Sequence, residues 1–437
     1  MSHVPRITVG KVIEKVLSRT ALSAAALLPL AHLTSLGVME VSGFILLIAS
    51  ATLFALECTD NPTAALRRLG SGATIPVVGY AVFTLLSVGV MLDQSSDQLD
   101  ALRELKWVLY FFGFLYFFER FWSEGWGRYI SLLAGAVALM GLLALCQFVY
   151  GWEWPRAESV LKPWGQYFRV TGFFNQPQTF AGNLGMSTFF LLGFALSQFE
   201  RERWVIEKPP VRLLVSTALG SLGVLLTLTR AAWLGGAVAV VLAFARVRTS
   251  WAAITLAVLP VIAGIAWYSD SPIGDRLSID LEVNALGMEV RQELWEANWS
   301  MFQDFPYLGM GPGQNLNRLE DYYGAMSVKY GRIDRAHNNT LEHLAAQGLF
   351  VAVFYLIFSG YFLWAAHCLS ARHTEDRFVR GIGLGSLVAQ IYFHILGLVD
   401  SNFFDQEVKN MIVWVWSLTA AMYKRTNKGA GTLGLNN

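Results

Sequence analysis

The sequence predicts an all-α, polytopic membrane protein with about twelve transmembrane helices and one long polar loop between the ninth and the tenth. Three observations predict it. The 437 residues are 54% apolar and 15% charged with a positive mean hydropathy, too greasy for a soluble chain of this size. Apolar runs near the roughly 20 residues that span a hydrocarbon core recur along the chain. Basic residues return in every second connection between those runs.

The runs cover residues 17–36, 38–57, 73–92, 105–121, 129–149, 177–198, 211–228, 231–247, 251–268, 348–368, 381–399 and 409–423. Arg6, Lys11, Lys15 and Arg19 precede the first. Its long apolar stretch, with a second directly after it, reads as a retained anchor rather than a cleaved leader. Arg67 and Arg68, then Arg120 and Arg128, then Arg201, Arg203, Lys208 and Arg212, then Arg246 and Arg248, then Arg372, Arg377 and Arg380 occupy alternate connections, and Lys424, Arg425 and Lys428 come after the last run. Lys and Arg in short loops favour the cytoplasm, so both termini are expected there. The other connections are acidic or polar, at 93–100 and 400–405, and the long loop shares their side. The two runs that flank Arg230 have almost no loop between them. If they were one broken helix, every later side would invert.

The chain thus divides into residues 1–268 with nine transmembrane helices, an external loop at 269–341 with amphipathic helices, residues 342–423 with three more spans, and a cytoplasmic tail at 424–437. Cys58, Cys146 and Cys368 stand in or beside spans at no metal-ligand spacing, so neither a disulfide nor zinc is expected, and no cofactor is implied. The formal charge of +1, with basic residues sorted by side of the membrane, gives no nucleic-acid signal.

The polar loop is where chemistry is expected. Residues 287–302 read as an amphipathic helix with Val290, Leu294, Met301 and Phe302 near one stripe and Arg291, Trp295 and Trp299 on another. Gly309, Gly311 and Gly313, with Pro306 and Pro312, specify a turn. The loop closes on His337, Asn338, Asn339 and Thr340, where Asn338 or Asn339 can cap the tenth span with Glu342 in the capping-box position. His337 then sits at a helix N-terminus, whose dipole favours the neutral imidazole that a general base requires. The alternative is a polar residue ahead of a cap.

Arg230 interrupts an apolar stretch, where it needs a partner or an anion, or else snorkels to the interface. Before the sixth span, Arg169, Asn175 and Gln178 lie in a polar entry that either binds sugar hydroxyls or caps the helix. Asp400, at the outer end of the eleventh span, either orients His337 or pairs with an arginine, or is a solvated loop acid. His32, His343, His367 and His394 lie in or beside apolar stretches and read as packing residues.

Several of these residues together resemble the O-antigen ligase and polymerase superfamily. They are the run Leu228, Thr229, Arg230, Ala231, Ala232; Arg291 with Trp295; Phe305 and Pro306 leading to Gly309, Met310, Gly311; and His337 and Asn338 with Gln347 and Gly348 beyond them. The resemblance covers about 169–405 and is nearest to the O-antigen ligases of Gram-negative bacteria. It implies a GT-C-like membrane enzyme that moves a glycan from an undecaprenyl diphosphate carrier to a sugar hydroxyl of lipid A-core oligosaccharide, without a metal, on the periplasmic side of the inner membrane. It implies that Arg230 and Arg291 are the essential arginines, that His337 is the essential histidine, and that Asp400 has a lesser role. Arg169, Asn175, Gln178, Trp295 and Asn338 join Arg230 and Arg291 as candidate substrate-binding residues. Gln347 departs from the pattern, because a glutamate often stands there. A polymerase using the same donor, a protein O-oligosaccharyltransferase and a lipid or solute transporter are the competing readings.

Overall fold

The computed structural model describes residues 6–89, 101–121, 126–153, 161–164, 166–198, 210–269, 271–278, 281–322, 335–371 and 376–433. The acidic connection at 93–100, together with Arg201, Arg203, Lys208 and Arg372, lies outside them. The chain is mostly helical, in the order α1 (Arg6–Thr34), α2 (Leu36–Asp60), α3 (Pro62–Leu69), α4 (Thr74–Gly89), α5 (Lys106–Arg120) and α6 (Trp126–Tyr150). A short antiparallel hairpin comes next, β1 (Lys162–Trp164) and β2 (Tyr167–Arg169), with Lys162 opposite Arg169. Then come α7 (Pro177–Ser197), α8 (Val211–Leu226), α9 (Arg230–Val247), α10 (Thr249–Trp267), α11 (Pro272–Ser278), α12 (Leu281–Asp304), α13 (Asn339–Ala371), α14 (Arg377–Leu396) and α15 (Gln406–Leu433).

A helix covers each of the predicted apolar runs. Among the described residues, eight helices are long and apolar enough to cross a membrane, and the bent pair α3 and α4 raises this to nine. The rest fall short for visible reasons: α5 has 15 residues and α8 has 16, while α15 carries Glu407, Lys409, Lys424 and Arg425. This is a multi-pass membrane protein. Local chemistry sets several helix starts. The Ser35 hydroxyl accepts from the Val38 N–H, Asn61 caps α3 with Pro62 in its first turn, and the Asp376 carboxylate accepts from Phe378 and Val379.

Consecutive long helices run in opposite directions, so their ends gather at two poles. At one pole Glu57 takes hydrogen bonds from Arg68, Arg120 and Tyr116, and the Lys424 ammonium donates to the Arg68 carbonyl. Three of the basic segments of the sequence pattern, those with Arg68, Arg120 and Lys424, meet there. The opposite pole carries the 269–341 island, where Ser87 near the end of α4 donates to the Leu308 carbonyl.

The two short-spaced helices around Arg230 belong to this alternation. The start of α8 lines a groove with Gly127 at the start of α6, whereas Leu226 at its end meets Val170 at the island pole. From there α9 returns, so that Arg246 reaches His367 near the far end of α13. They are therefore a hairpin of two helices, and Arg230 stands at its apex.

The core is apolar and aromatic, with Trp107, Trp414, Trp416, Tyr116 and Tyr392 almost fully buried. Glycines let backbones touch: a Cβ on Gly193 of α7 would lie 2.7 Å from the Leu384 carbonyl oxygen of α14. By contrast α10 leaves Ile254, Val261, Ile262 and Ile265 at the surface, as a helix facing lipid does. The island adds a small core in which Leu294, Ala297, Met301, Met310 and Leu319 pack on Ala345 of α13. It buries itself against a membrane helix rather than closing on itself.

Candidate active site

The loop 335–340 and the loop 397–404 are laced together by the residues of the His-Asn-Asn motif. The Asn338 carboxamide oxygen accepts from the Thr340 and Leu341 N–H groups, both at 3.0 Å, and its amide donates to the Leu398 carbonyl at 3.0 Å. Asn339, almost fully buried, donates to the Asn402 side chain at 2.7 Å and accepts from the Phe403 N–H at 3.0 Å. Asn338 is therefore the N-cap, and the expected capping box is not formed. Glu342 lies one position too far along and turns inward instead. Its carboxylate, 1% exposed, accepts from the Ala336 N–H at 2.8 Å, Asn315 at 3.0 Å and the Ser401 hydroxyl at 3.2 Å, and pairs with Arg335 at 3.5 Å.

This lacing puts His337 beside Asp400, with Nδ1 3.3 Å from Oδ1. His337 holds a left-handed backbone, φ 48°, which only one other described non-glycine residue does. Such a conformation costs a non-glycine residue about 1–3 kcal/mol and persists when surroundings impose it. Glu342 on Ala336, Asn338 as the cap and Asp400 on the ring supply that imposition. On the other flank, the Trp295 indole donates to the Ala336 carbonyl at 2.9 Å.

The second residue of this kind is Leu228, φ 54°, in the apex between α8 and α9. Arg169 donates from Nε to the Thr227 carbonyl at 3.0 Å, and Arg276 from Nε to the Leu228 carbonyl at 3.1 Å. Arg169 reaches the apex because Gln147 of α6 holds both the N–H and the carbonyl of Gly172, at 2.9 and 2.7 Å. Arg230 stands two residues after Leu228 with its side chain exposed.

Electrostatics shows that these pieces converge. Burial pushes the Arg291 guanidinium below the usual arginine range; Asp400 nearby opposes that shift and Arg230 adds to it. Arg276 is pushed down to about 10 by burial and then by Arg169, Arg230 and Arg291. Burial alone lowers Arg169. Arg276 thus lies within electrostatic reach of Arg169, Arg230 and Arg291, and Arg291 within reach of Arg230 and of Asp400, the partner of His337. Cations at such spacing repel one another in a partly buried site, so the arrangement is complementary to a multiply charged anion.

Residues 215–356 match the family model described as O-antigen ligase. The similarity to O-antigen ligases lies in that segment. No curated protein matches the chain. The O-antigen ligase segment holds Arg230, Arg276, Arg291 and His337, whereas Arg169 and Asp400 come from outside it.

Sequence reasoning singled out Arg169, Arg230, Arg291, His337 and Asp400, and these share the site. Trp295 and Asn338 stand at it with their polar groups bonded to the backbone. Asn175 is exposed in the turn between β2 and α7, and Gln178 is half-buried in the first turn of α7. Arg276 and Glu342 were missed as site residues. Arg276 carries no local motif, and Glu342 looked like a capping residue. Gln347, where the family pattern often has glutamate, lies in the core: it accepts from Tyr80 at 3.2 Å, meets His343 Nδ1 at 2.7 Å and donates to Thr84 at 3.3 Å. The partner of His337 is Asp400, so the departure at Gln347 leaves that histidine its carboxylate. His32 and His343 are buried, as packing histidines should be, whereas His367 is exposed and meets Arg246, so it is not a packing residue.

Proposed function

We propose that the protein is an O-antigen ligase of the bacterial inner membrane, with both termini cytoplasmic and its active site on the periplasmic side. In this reading it transfers O-antigen polysaccharide from undecaprenyl diphosphate to a sugar hydroxyl of lipid A-core oligosaccharide. The observation that carries the proposal is the meeting of a histidine and carboxylate pair with a cluster of arginines at one pole of a membrane bundle.

Arg230 and Arg291, supported by Arg169, take the carrier diphosphate. As the bond from the anomeric carbon to the phosphate oxygen breaks, negative charge grows on the leaving group, and guanidiniums already in place stabilise it without reorganising. With Nδ1–H of His337 donating to Asp400, Nε2 is the basic nitrogen. It takes the proton of the acceptor hydroxyl as that oxygen bonds to the anomeric carbon. One displacement on opposite faces inverts the anomeric configuration, through an oxocarbenium-like transition state. Asn175 and Gln178 face the sugar hydroxyls, Trp295 and Asn338 frame the base, and no metal takes part.

The test is purified full-length protein given carrier-linked O-antigen with lipid A-core. Glycan joined to the core is expected. Glycan lengthened on the carrier instead would replace ligase by polymerase. His337→Ala should lower transfer by about 10² to 10⁴-fold, the range of general-base catalysis, with folding intact. Near-normal transfer by that variant would remove His337 as the base.

A further inference from the structure

The apex that carries Arg230 is held partly by its own groups, with the Thr229 hydroxyl donating to the Thr227 carbonyl at 3.4 Å and the Trp233 indole to the Leu225 carbonyl at 3.1 Å, and partly by groups from outside it. Helix α8 ends at Leu226, and the Thr227 and Leu228 carbonyls fall in the gap before α9, where helical N–H partners run out. Nε of Arg169 takes the first carbonyl and Nε of Arg276 the second, one coming from the β hairpin and the other from a short helix of the island. Between them Leu228 stands left-handed with its side chain fully buried. An L-residue in that conformation places its Cβ against its own backbone at a cost of roughly 1–2 kcal/mol. Released, it relaxes toward the right-handed region and lets α8 wind on. Each residue added to a helix rotates the chain beyond it by about 100°, given 3.6 residues per turn. Arg230 would leave its place.

We propose that Arg276, acting with Arg169, is a positioning residue for Arg230: by holding the Leu228 carbonyl it keeps Leu228 left-handed and so sets where α9 begins. The inference rests on the reading that Arg230 meets the carrier diphosphate, and it adds a group that the sequence did not disclose. The bond is made by Nε, the lateral edge of a planar guanidinium, which lysine lacks. Arg276 also stands among Arg169, Arg230 and Arg291, so a bound polyanion relieves repulsion across the whole clamp.

The experiment uses the full chain in nanodiscs. Hydrogen exchange is read without substrate over residues 225–234, where the Leu228 N–H bonds the Leu225 carbonyl and the Ala232 N–H bonds the Thr229 carbonyl. In Arg276→Lys these amides should exchange at least about 10-fold faster, a change equal to roughly 1.4 kcal/mol of local opening. With carrier-linked glycan, kcat should fall by about 100-fold, as for an angstrom-scale misplacement of a catalytic group, while the donor KM stays within about threefold. Adding Leu228→Gly, which takes φ near 54° without being held, should restore part of kcat in the double variant, and the cavity it leaves is corrected by the Leu228→Gly single variant. Unchanged exchange in Arg276→Lys, strict additivity of the two substitutions, or a raised donor KM with kcat intact would each overturn the clamp. If the unsubstituted protein transfers no glycan, the proposed function falls, and the exchange measurement still decides whether Arg276 holds the apex.

Discussion

Asp400 and Glu342 are both carboxylates near His337, and their surroundings give them different work. Asp400 is partly exposed and touches the imidazole; its side chain is 27% accessible, against 1% for Glu342. Asp400→Asn should leave the fold intact and lower transfer by about 10-fold through loss of imidazole orientation, a smaller effect than removing the base itself. Comparing turnover of the two variants with matched thermal unfolding curves checks this. Glu342 bonds Ala336, Asn315 and Ser401 and pairs with Arg335, tying the residue before the histidine to the residue after the aspartate. Glu342→Ala leaves a buried hub of donors without their acceptor and should destabilise by about 3 kcal/mol. Thermal unfolding in detergent should show a lowered midpoint, and Glu342→Gln, which keeps the shape and one acceptor, should lose less.

At the level of elements, the glycine turn of the island and the start of the tenth predicted span form one joint. Helix α13 breaks at Gly348, φ 80°, where a Cβ would lie 2.4 Å from the Tyr307 carbonyl oxygen. Across the break the Met310 and Gly311 N–H groups donate to the Ala345 and Ala346 carbonyls at 3.1 and 2.8 Å, and the Leu349 N–H donates to the Pro306 carbonyl at 2.8 Å. The carbonyls that a kink leaves without helical partners are thus taken up by the turn. Gly348→Ala should cost about 2 kcal/mol or more, from both the left-handed backbone and the clash with main chain. A normal unfolding midpoint for that variant would mean the joint is soft. The glycines and prolines of 305–313 made the turn legible in the sequence, because each glycine signals a conformation that other residues resist. The partner of the turn was not legible, since nothing in the residues 345–349 says which distant N–H groups will face them.

Across the whole molecule, composition and charge alternation revealed the helices and their directions, because lipid imposes length and apolarity on every span. The hairpin at Arg230 was the uncertain step. A gap of three residues is compatible with a kink or a reversal, and the contacts of both helix ends were needed to tell them apart. Five candidate residues of the site could be picked from chemistry and family pattern. Arg276 could not, because its importance lies in a carbonyl 48 residues away. Likewise, the inward turn of Glu342 depends on Ser401, far along the chain and on a different helix connection.

That dispersion bears on how the protein is made. The residues at the site enter in the order Arg169, Arg230, Arg276, Arg291, His337 and Asp400, and α15 comes after them to pack against α5, α7 and α14. During synthesis the arginines are in the membrane before the histidine and its carboxylate have left the ribosome. A nascent chain can therefore offer an anion a cationic apex while lacking both the base and the groups that hold it. On the proposed mechanism the base and its carboxylate arrive only with the last quarter of the polypeptide, so a chain stalled or cut short before His337 would bind the carrier without turning it over.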